Sequence, residues 1–183
     1  MAIFTKSSLK IALIYGLISG AIIISTMIFG LLASDGQGFF ASEYFGYLLM
    51  LVALSMIFVG VKRYRDTQLG GVVKFFPAFG FGLAIAAIAA LVYVCVWELY
   101  LYNTNYAFIG QYAAGIIEAR TAEGLSGAEL QNLIADMDEM ESNYAKPYIR
   151  LPMTFVEIFP VGFIIALLSA TLLRNPKLFP AKG

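Results

Sequence analysis

Three glutamates have positions that suggest chemistry, because each lies inside or at the edge of an otherwise apolar run. Glu157 lies in the run Met153-Thr-Phe-Val-Glu-Ile-Phe-Pro-Val161, Glu98 in the run Tyr93-Val-Cys-Val-Trp-Glu-Leu-Tyr100, and Glu43 opens a run that ends at Val61. An ionisable group at membrane depth is costly, so each of these acids is a functional hypothesis. Carboxylates in such positions suit a proton relay, a coupling ion or a hard divalent cation with oxygen ligands.

Each acid also has a structural interpretation that the sequence leaves open. Glu43 would be favoured by the helix dipole if it lies in the first turn of a helix at the interface. Glu98 would reach the same interface among its neighbouring tyrosines. Glu157 would fix helix register if it is a neutral acid that donates a hydrogen bond to Thr154, to a tyrosine or to the backbone.

Pro160 lies three residues after Glu157 and has no N–H to donate to the carbonyl of Val156. We therefore expect a bend that frees a carbonyl beside the acid. Such a carbonyl would suit cation binding or a hinge, although ordinary proline kinks are common in spanning helices.

The composition predicts that the solvent of this chain is a lipid bilayer. Of its 183 residues, 60% are hydrophobic and 13% are charged, and a soluble domain of this size could not bury so much apolar surface. The sequence has no histidine and one cysteine, and no nucleophile–base pair or nucleotide-binding motif appears. These features argue against an enzyme, and no separate basic region suggests nucleic-acid binding.

Four apolar runs predict spanning helices over residues 11–33, 43–61, 77–102 and 149–173. Each is close to or above the roughly 20 residues that a hydrocarbon core requires. The first run exceeds the 7–15 or so apolar residues of a signal peptide, so we interpret it as an uncleaved span. In it Ala12, Gly16 and Gly20 recur every fourth residue beside Ser19, which predicts close helix approach on one face.

The polar segment 103–146 predicts an amphipathic helical hairpin outside the membrane. Ser126-Gly-Ala-Glu129 is typical of a capping box that opens its second helix. That helix carries an apolar stripe with the acidic residues mostly off it. The fold class is therefore an all-α integral membrane protein, with four spans and an external hairpin between the third and fourth.

The distribution of basic residues predicts the orientation. Nine lie on one side of the four-span topology and three on the other, which places both termini in the cytoplasm and the hairpin outside. The nine are Lys6, Lys10, Lys62, Arg63, Arg65, Lys74, Arg174, Lys177 and Lys182, and the three are Arg120, Lys146 and Arg150.

This topology orders the three acids by depth. Glu157 follows Arg150 by seven residues and would lie about 10 Å below the outer interface, with Glu98 and Glu43 on the same side. If all three side chains point inward, they form one coupled site.

The basic run Lys62-Arg-Tyr-Arg-Asp66, expected in a loop after the second span, suits an anionic lipid headgroup. Its residues Lys62, Arg63 and Arg65 are equally typical of an ordinary positive-inside anchor. The bilayer is the first partner that the sequence implies. A homodimer or another membrane protein is the second, since four spans are few for a solute pathway.

Four segments in order resemble a family of small bacterial membrane proteins known as domain of unknown function 4199. They are Ser42-Glu-Tyr-Phe-Gly-Tyr47, Ser55-Met-Ile-Phe-Val-Gly-Val-Lys-Arg-Tyr-Arg-Asp66, Trp97-Glu-Leu-Tyr100 and Thr154-Phe-Val-Glu-Ile-Phe-Pro-Val-Gly162. The resemblance covers nearly the whole chain. It implies a four-span inner-membrane protein with an external helical insertion before the last span, and it brings no established activity.

Three functions follow as hypotheses, the least favoured of which is a membrane enzyme that works with carboxylates alone or with a bound divalent metal. The first is a small transport-type or ion- or proton-responsive protein of a bacterial cytoplasmic membrane, with Glu98, Glu157 and Glu43 as its outer-leaflet site. The second is a non-catalytic accessory protein that binds a partner through the hairpin. No cofactor motif is evident, and a divalent cation is the one cofactor that the carboxylates would suit.

Overall fold

The computed structural model describes residues 5–33 and 43–181, and for residues 28–33 and 43 it describes the backbone alone. Within these residues the chain forms helices and no strand, so the all-α prediction is confirmed. The helices are α1 (Lys6–Ala33), α2 (Glu43–Leu54), α3 (Met56–Gln68), α4 (Phe75–Asn103), α5 (Ala107–Ala122), α6 (Gly127–Tyr144) and α7 (Pro147–Leu173).

Four helical stretches are long and apolar enough to cross a membrane, as the sequence predicts. They are Lys6–Met27, Tyr44–Gln68, Phe75–Asn103 and Pro147–Leu173. Pro77 lies in the first turn of α4, where its missing N–H leaves no helical hydrogen bond unmade.

The second stretch corrects one prediction, because the basic residues 62–66 are helical and do not lie in a loop. α3 continues to Gln68, and its buried positions Ile57, Val61 and Tyr64 recur at helical spacing through the basic run. One face of α3 is therefore buried along the helix, both in its apolar first half and in the basic run that follows.

The described residues divide into two compact units. Met1–Val94 with Phe155–Gly183 form the first, called here the bundle unit, and Cys95–Thr154 form the second, called here the hairpin unit.

Small residues hold the helices of the bundle unit together, as predicted for α1. A Cβ added at Gly16 would lie 2.6 Å from Cβ of Ile88, and one at Gly20 would lie 2.8 Å from Cβ of Val92. No side chain fits at these distances, so the glycines are what lets α1 approach α4. Ser19 on the same face is buried and donates a hydrogen bond of 3.1 Å to the carbonyl of Ala53.

The hairpin unit contains α5 and α6, which pack against each other across a turn with Gly124 at φ 98°. The predicted hairpin is therefore present as two helices. α6 has no buried residue, and Ile134 on its apolar stripe is 38% exposed.

The predicted capping box correctly marks where α6 begins, but the capping hydrogen bond expected from the Ser126 side chain is not formed. Ser126 occupies the N-cap position with extended backbone angles, but its side chain makes no capping hydrogen bond. The next residue, Gly127, has φ 62°, a left-handed conformation that departs from the usual start of a helix.

Candidate functional site

The centre of the hairpin unit is an ion pair between Glu98, near the end of α4, and Arg150, in the first turn of α7. Nε of Arg150 donates to Oε1 of Glu98 at 2.7 Å, and Nη2 donates to Oε2 at 2.8 Å. This two-pronged geometry is the strongest arrangement of an arginine and a carboxylate. The Arg150 side chain is 3% exposed and that of Glu98 is 25% exposed, so the pair is largely withdrawn from water.

The third guanidinium nitrogen of Arg150 fixes the chain that precedes α7. Nη1 donates to the carbonyl of Tyr144 at 2.8 Å and to that of Ala145 at 3.3 Å. These carbonyls lie at the end of α6, where helical partners run out and a cation is favourable. Arg150 therefore connects α4, the end of α6 and the start of α7.

Two tyrosine rings enclose the same guanidinium. Its carbon lies 4.9 Å from the ring centre of Tyr106 and 5.8 Å from that of Tyr144, within the range of cation–π attraction. The hydroxyl of Tyr144 accepts a hydrogen bond of 2.7 Å from the indole nitrogen of Trp97. Trp97, the neighbour of Glu98 in the sequence, therefore supports one of the two rings around Arg150.

A strained turn brings Tyr106 to this position. Asn105 has φ 52° and Tyr106 has φ 57°, so two successive residues other than glycine are left-handed. Asparagine tolerates this region, whereas for tyrosine it costs on the order of 1 kcal/mol. The N–H of Tyr106 donates to the carbonyl of Leu101 at 2.7 Å, which holds the turn against the end of α4.

A pocket of about 390 Å³ opens beside the ion pair, entirely within the hairpin unit. This volume is at the lower end of the range for small-ligand sites. Its lining combines aromatic, apolar and charged side chains from three helices and the turns between them, namely Tyr106, Ile109, Glu141, Tyr144, Ala145, Pro147 and Arg150.

The predicted carboxylates Glu98 and Glu157 have different surroundings in the structure. Glu98 has Arg150 as its partner, while Glu157 is exposed on α7 in the bundle unit. The side chain of Glu43 lies outside the described residues. The convergence of the three acids in one site stays a prediction.

The two residues predicted to support Glu157 lie on α7. Thr154 is buried and donates at 3.0 Å to the carbonyl of Arg150, one turn earlier. Pro160 is exposed, and α7 remains helical on both sides of it, so the expected bend stays a prediction.

Two of the three basic candidates for lipid binding, Lys62 and Arg65, share the carboxylate of Asp66 as an ion-pair partner. Arg65 is fully buried, and its guanidinium donates to the carbonyls of Leu173, Leu178 and Phe179. A buried guanidinium has no surface to offer a headgroup. Lys62 pairs with Asp66, and Arg63 is exposed, so headgroup binding stays a prediction for these two residues.

In the part of the chain that the structure describes, no three cysteine, aspartate or glutamate side chains group as a metal site would require. In the acidic run 136–141 of α6, Asp136, Asp138 and Glu139 are exposed and Glu141 is half-buried.

Comparison with known proteins identifies one family, and the match extends over nearly the whole chain. A family model described as protein of unknown function (DUF4199) matches residues 10–175. The chain belongs to this family. No curated protein and no solved structure matches this DUF4199 chain.

The description of the DUF4199 family names no activity, so the function of this member has to be argued from its site. The sequence singled out Glu98, but it suggested Arg150 only as one of the charges on the outer side and as the reference for the depth of Glu157. Two opposite charges beside apolar runs at the same predicted interface were the available signal for the pair. Nothing in the sequence pointed to Tyr106, because its role depends on a left-handed turn.

Proposed function

We propose that this chain is a non-catalytic interaction protein of a bacterial cytoplasmic membrane, and that its hairpin unit binds a basic segment of a partner protein. The observation that carries the proposal is the pocket beside Arg150. Its lining includes two tyrosines, Tyr106 and Tyr144, and a carboxylate, Glu141.

The charge inside the pocket favours a cationic side chain from the partner. Glu98 neutralises Arg150 through two hydrogen bonds, so Glu141 supplies the remaining formal charge among the lining residues. The carboxylate of Glu141 has no ion pair or side-chain hydrogen bond within residues 5–33 and 43–181. A lysine or arginine of the partner that enters the pocket would meet the carboxylate of Glu141 beside the aromatic lining.

The surface around the pocket supports the same class of partner. Segment 103–146 contains seven acidic residues and two basic ones, so it attracts a basic surface and repels an acidic one. Several of the acids lie exposed on α6, whose apolar stripe is only half-buried. An acidic helix with a partly exposed apolar stripe is suited to contact with another protein.

The ion-responsive hypothesis receives less support from the same geometry. A carboxylate that accepts two charge-assisted hydrogen bonds from a buried arginine already has its cation. Glu98 thus serves as a positioning residue for Arg150 in the proposed function.

Binding is tested with peptides that carry one cationic side chain, acetyl-Gly-Arg-Gly-amide and acetyl-Gly-Lys-Gly-amide, with acetyl-Gly-Gln-Gly-amide for comparison. Trp97 is the only tryptophan and contacts Tyr144 of the pocket wall, so its fluorescence reports occupancy. We expect saturable binding of the cationic peptides alone. Glu141→Gln should weaken it about tenfold, because it removes one charge-assisted contact worth roughly 1.4 kcal/mol.

Asp138→Asn is the matched control, since it removes the same charge from an exposed position of α6 outside the pocket lining. We expect it to change the affinity less than twofold. Equal losses in both variants, or equal binding of the glutamine peptide, would show that the pocket does not recognise a cationic side chain.

The proposal places the hairpin on the outer side of the membrane and both termini in the cytoplasm, as the basic residues indicate. With Cys95 replaced by serine, Asp138→Cys should react with a membrane-impermeant maleimide in intact spheroplasts. Lys177→Cys should react only after permeabilisation. The reverse pattern would invert the topology.

A further inference from the structure

Glu157 carries a carboxylate, lies far from both ends of α7, and is on the exposed face of that helix. It lies ten residues after Pro147 and sixteen before Leu173, the ends of a helix long and apolar enough to cross a membrane. Among the residues that the structure describes, it has no hydrogen-bond or ion-pair partner.

Two exposed hydroxyl groups in the apolar stretches, by contrast, are satisfied by a backbone carbonyl of the preceding turn. Ser55 donates to the carbonyl of Val52 at 2.6 Å, and Thr171 donates to that of Leu167 at 2.9 Å. A carboxyl group cannot be satisfied in this way, since it has more acceptor sites than a helix has free donors. Contact with lipid would therefore leave Glu157 unsatisfied at a cost of several kcal/mol.

We propose that the exposed face of α7 is the interface of a homodimer, in which Glu157 meets the partner's Glu157. The face around the acid is apolar, with Val156 60% exposed, Ile164 55% exposed and Leu168 55% exposed. In a dimer these side chains would surround the two carboxyls and exclude lipid and water from them.

The carboxyl group of Glu157 is the reason to expect a second copy of this chain, and not another protein, on the exposed face of α7. Two copies inserted with the same orientation are related by a two-fold axis along the membrane normal, so any residue on that axis faces itself at the same depth. A pair of carboxyl groups that shares a proton is self-complementary, because one group donates and the other accepts. Symmetry thus supplies a polar partner for Glu157 at the depth where it is needed.

The charge at residue 157 provides the first test. Two differently tagged copies are co-expressed, extracted in mild detergent and purified through one tag. We expect capture of the second copy when both carry Glu157. When both carry Glu157→Lys, capture should fall at least tenfold. When one carries Glu157 and the other Glu157→Lys, capture should return, because the opposite charges pair.

Crosslinking provides a second measurement that leaves Glu157 intact. In a Cys95→Ser chain, Ile164→Cys lies two helical turns from Glu157 on the same face and should form a disulfide-linked dimer when membranes are oxidised. Leu17→Cys on α1 is 51% exposed as well and serves as the matched control, with no dimer expected.

The two measurements separate this interface from its alternatives. Chains that are never co-captured and form no Ile164→Cys dimer would show that lipid or a different protein covers α7. Equal capture of the doubly Glu157→Lys pair, or equal crosslinking at Leu17→Cys, would likewise overturn the proposed interface. Neither result depends on the peptide-binding pocket of the hairpin unit.

Discussion

Arg150→Ala should lower the free energy of unfolding by about 3 kcal/mol, because it leaves the Glu98 carboxylate without its counter-ion and two helix-end carbonyls without a donor. The value lies at the lower end of the range for broken buried pairs, since the Glu98 side chain keeps 25% exposure. Denaturant unfolding in detergent, followed by the fluorescence of Trp97 in the same unit, measures the loss.

The hairpin unit offers a matched control in a second arginine–glutamate pair. Arg120 contacts Glu123 at 2.9 Å, but the two side chains are 61% and 64% exposed. We expect Arg120→Ala to change stability by less than about 0.5 kcal/mol, because exposed pairs contribute little. If Arg150→Ala is no more destabilising than Arg120→Ala, the ion pair does not organise the unit.

Two further variants separate charge from geometry at Arg150. Arg150→Lys keeps the positive charge but loses the planar fork, and it should recover only part of the stability. The double variant Arg150→Met with Glu98→Leu should be more stable than Arg150→Ala, because no unpaired charge remains. A double variant as unstable as Arg150→Ala would mean that packing, and not charge, dominates at this position.

Arg65→Ala should have the other large effect, a loss of about 3 kcal/mol together with release of the C-terminal segment. The Arg65 side chain is fully buried and bonds the carbonyls of Leu173, Leu178 and Phe179. Its removal leaves a cavity and several unsatisfied acceptors in the bundle unit.

Limited trypsin digestion detects the release directly, since Lys177 lies within the segment that Arg65 holds. We expect cleavage after Lys177 to become much faster in Arg65→Ala, as judged by mass spectrometry of the truncated chain. Arg63→Ala, on the exposed side of the same helix, should leave both stability and cleavage unchanged. An equal cleavage rate in the two variants would contradict the anchoring role.

These two arginines illustrate what sequence reasoning missed. Arg65 and Arg63 are two residues apart in one basic run, and the sequence pattern is typical of a membrane anchor for both. On a helix, however, residues two apart point in different directions, so one is buried and the other exposed. Arg150 was likewise only a charge beside an apolar run until α4 and α7 brought it to Glu98.

The sequence by itself determined the class of protein and the position of the spans. Length, apolar composition and run lengths are local properties, and a bilayer imposes the same demand on every spanning segment. The small-residue face of α1 was also readable, because its period of four needs no knowledge of the partner helix.

Only the tertiary structure decided what the charged residues do. Whether Glu98 is a free carboxylate or the partner of Arg150 depends on helix rotation and on a left-handed turn at Tyr106, which no spacing rule specifies. The pairing energy of a charge falls off over a few ångströms, so the role of a charged residue depends on neighbours that are distant in the chain.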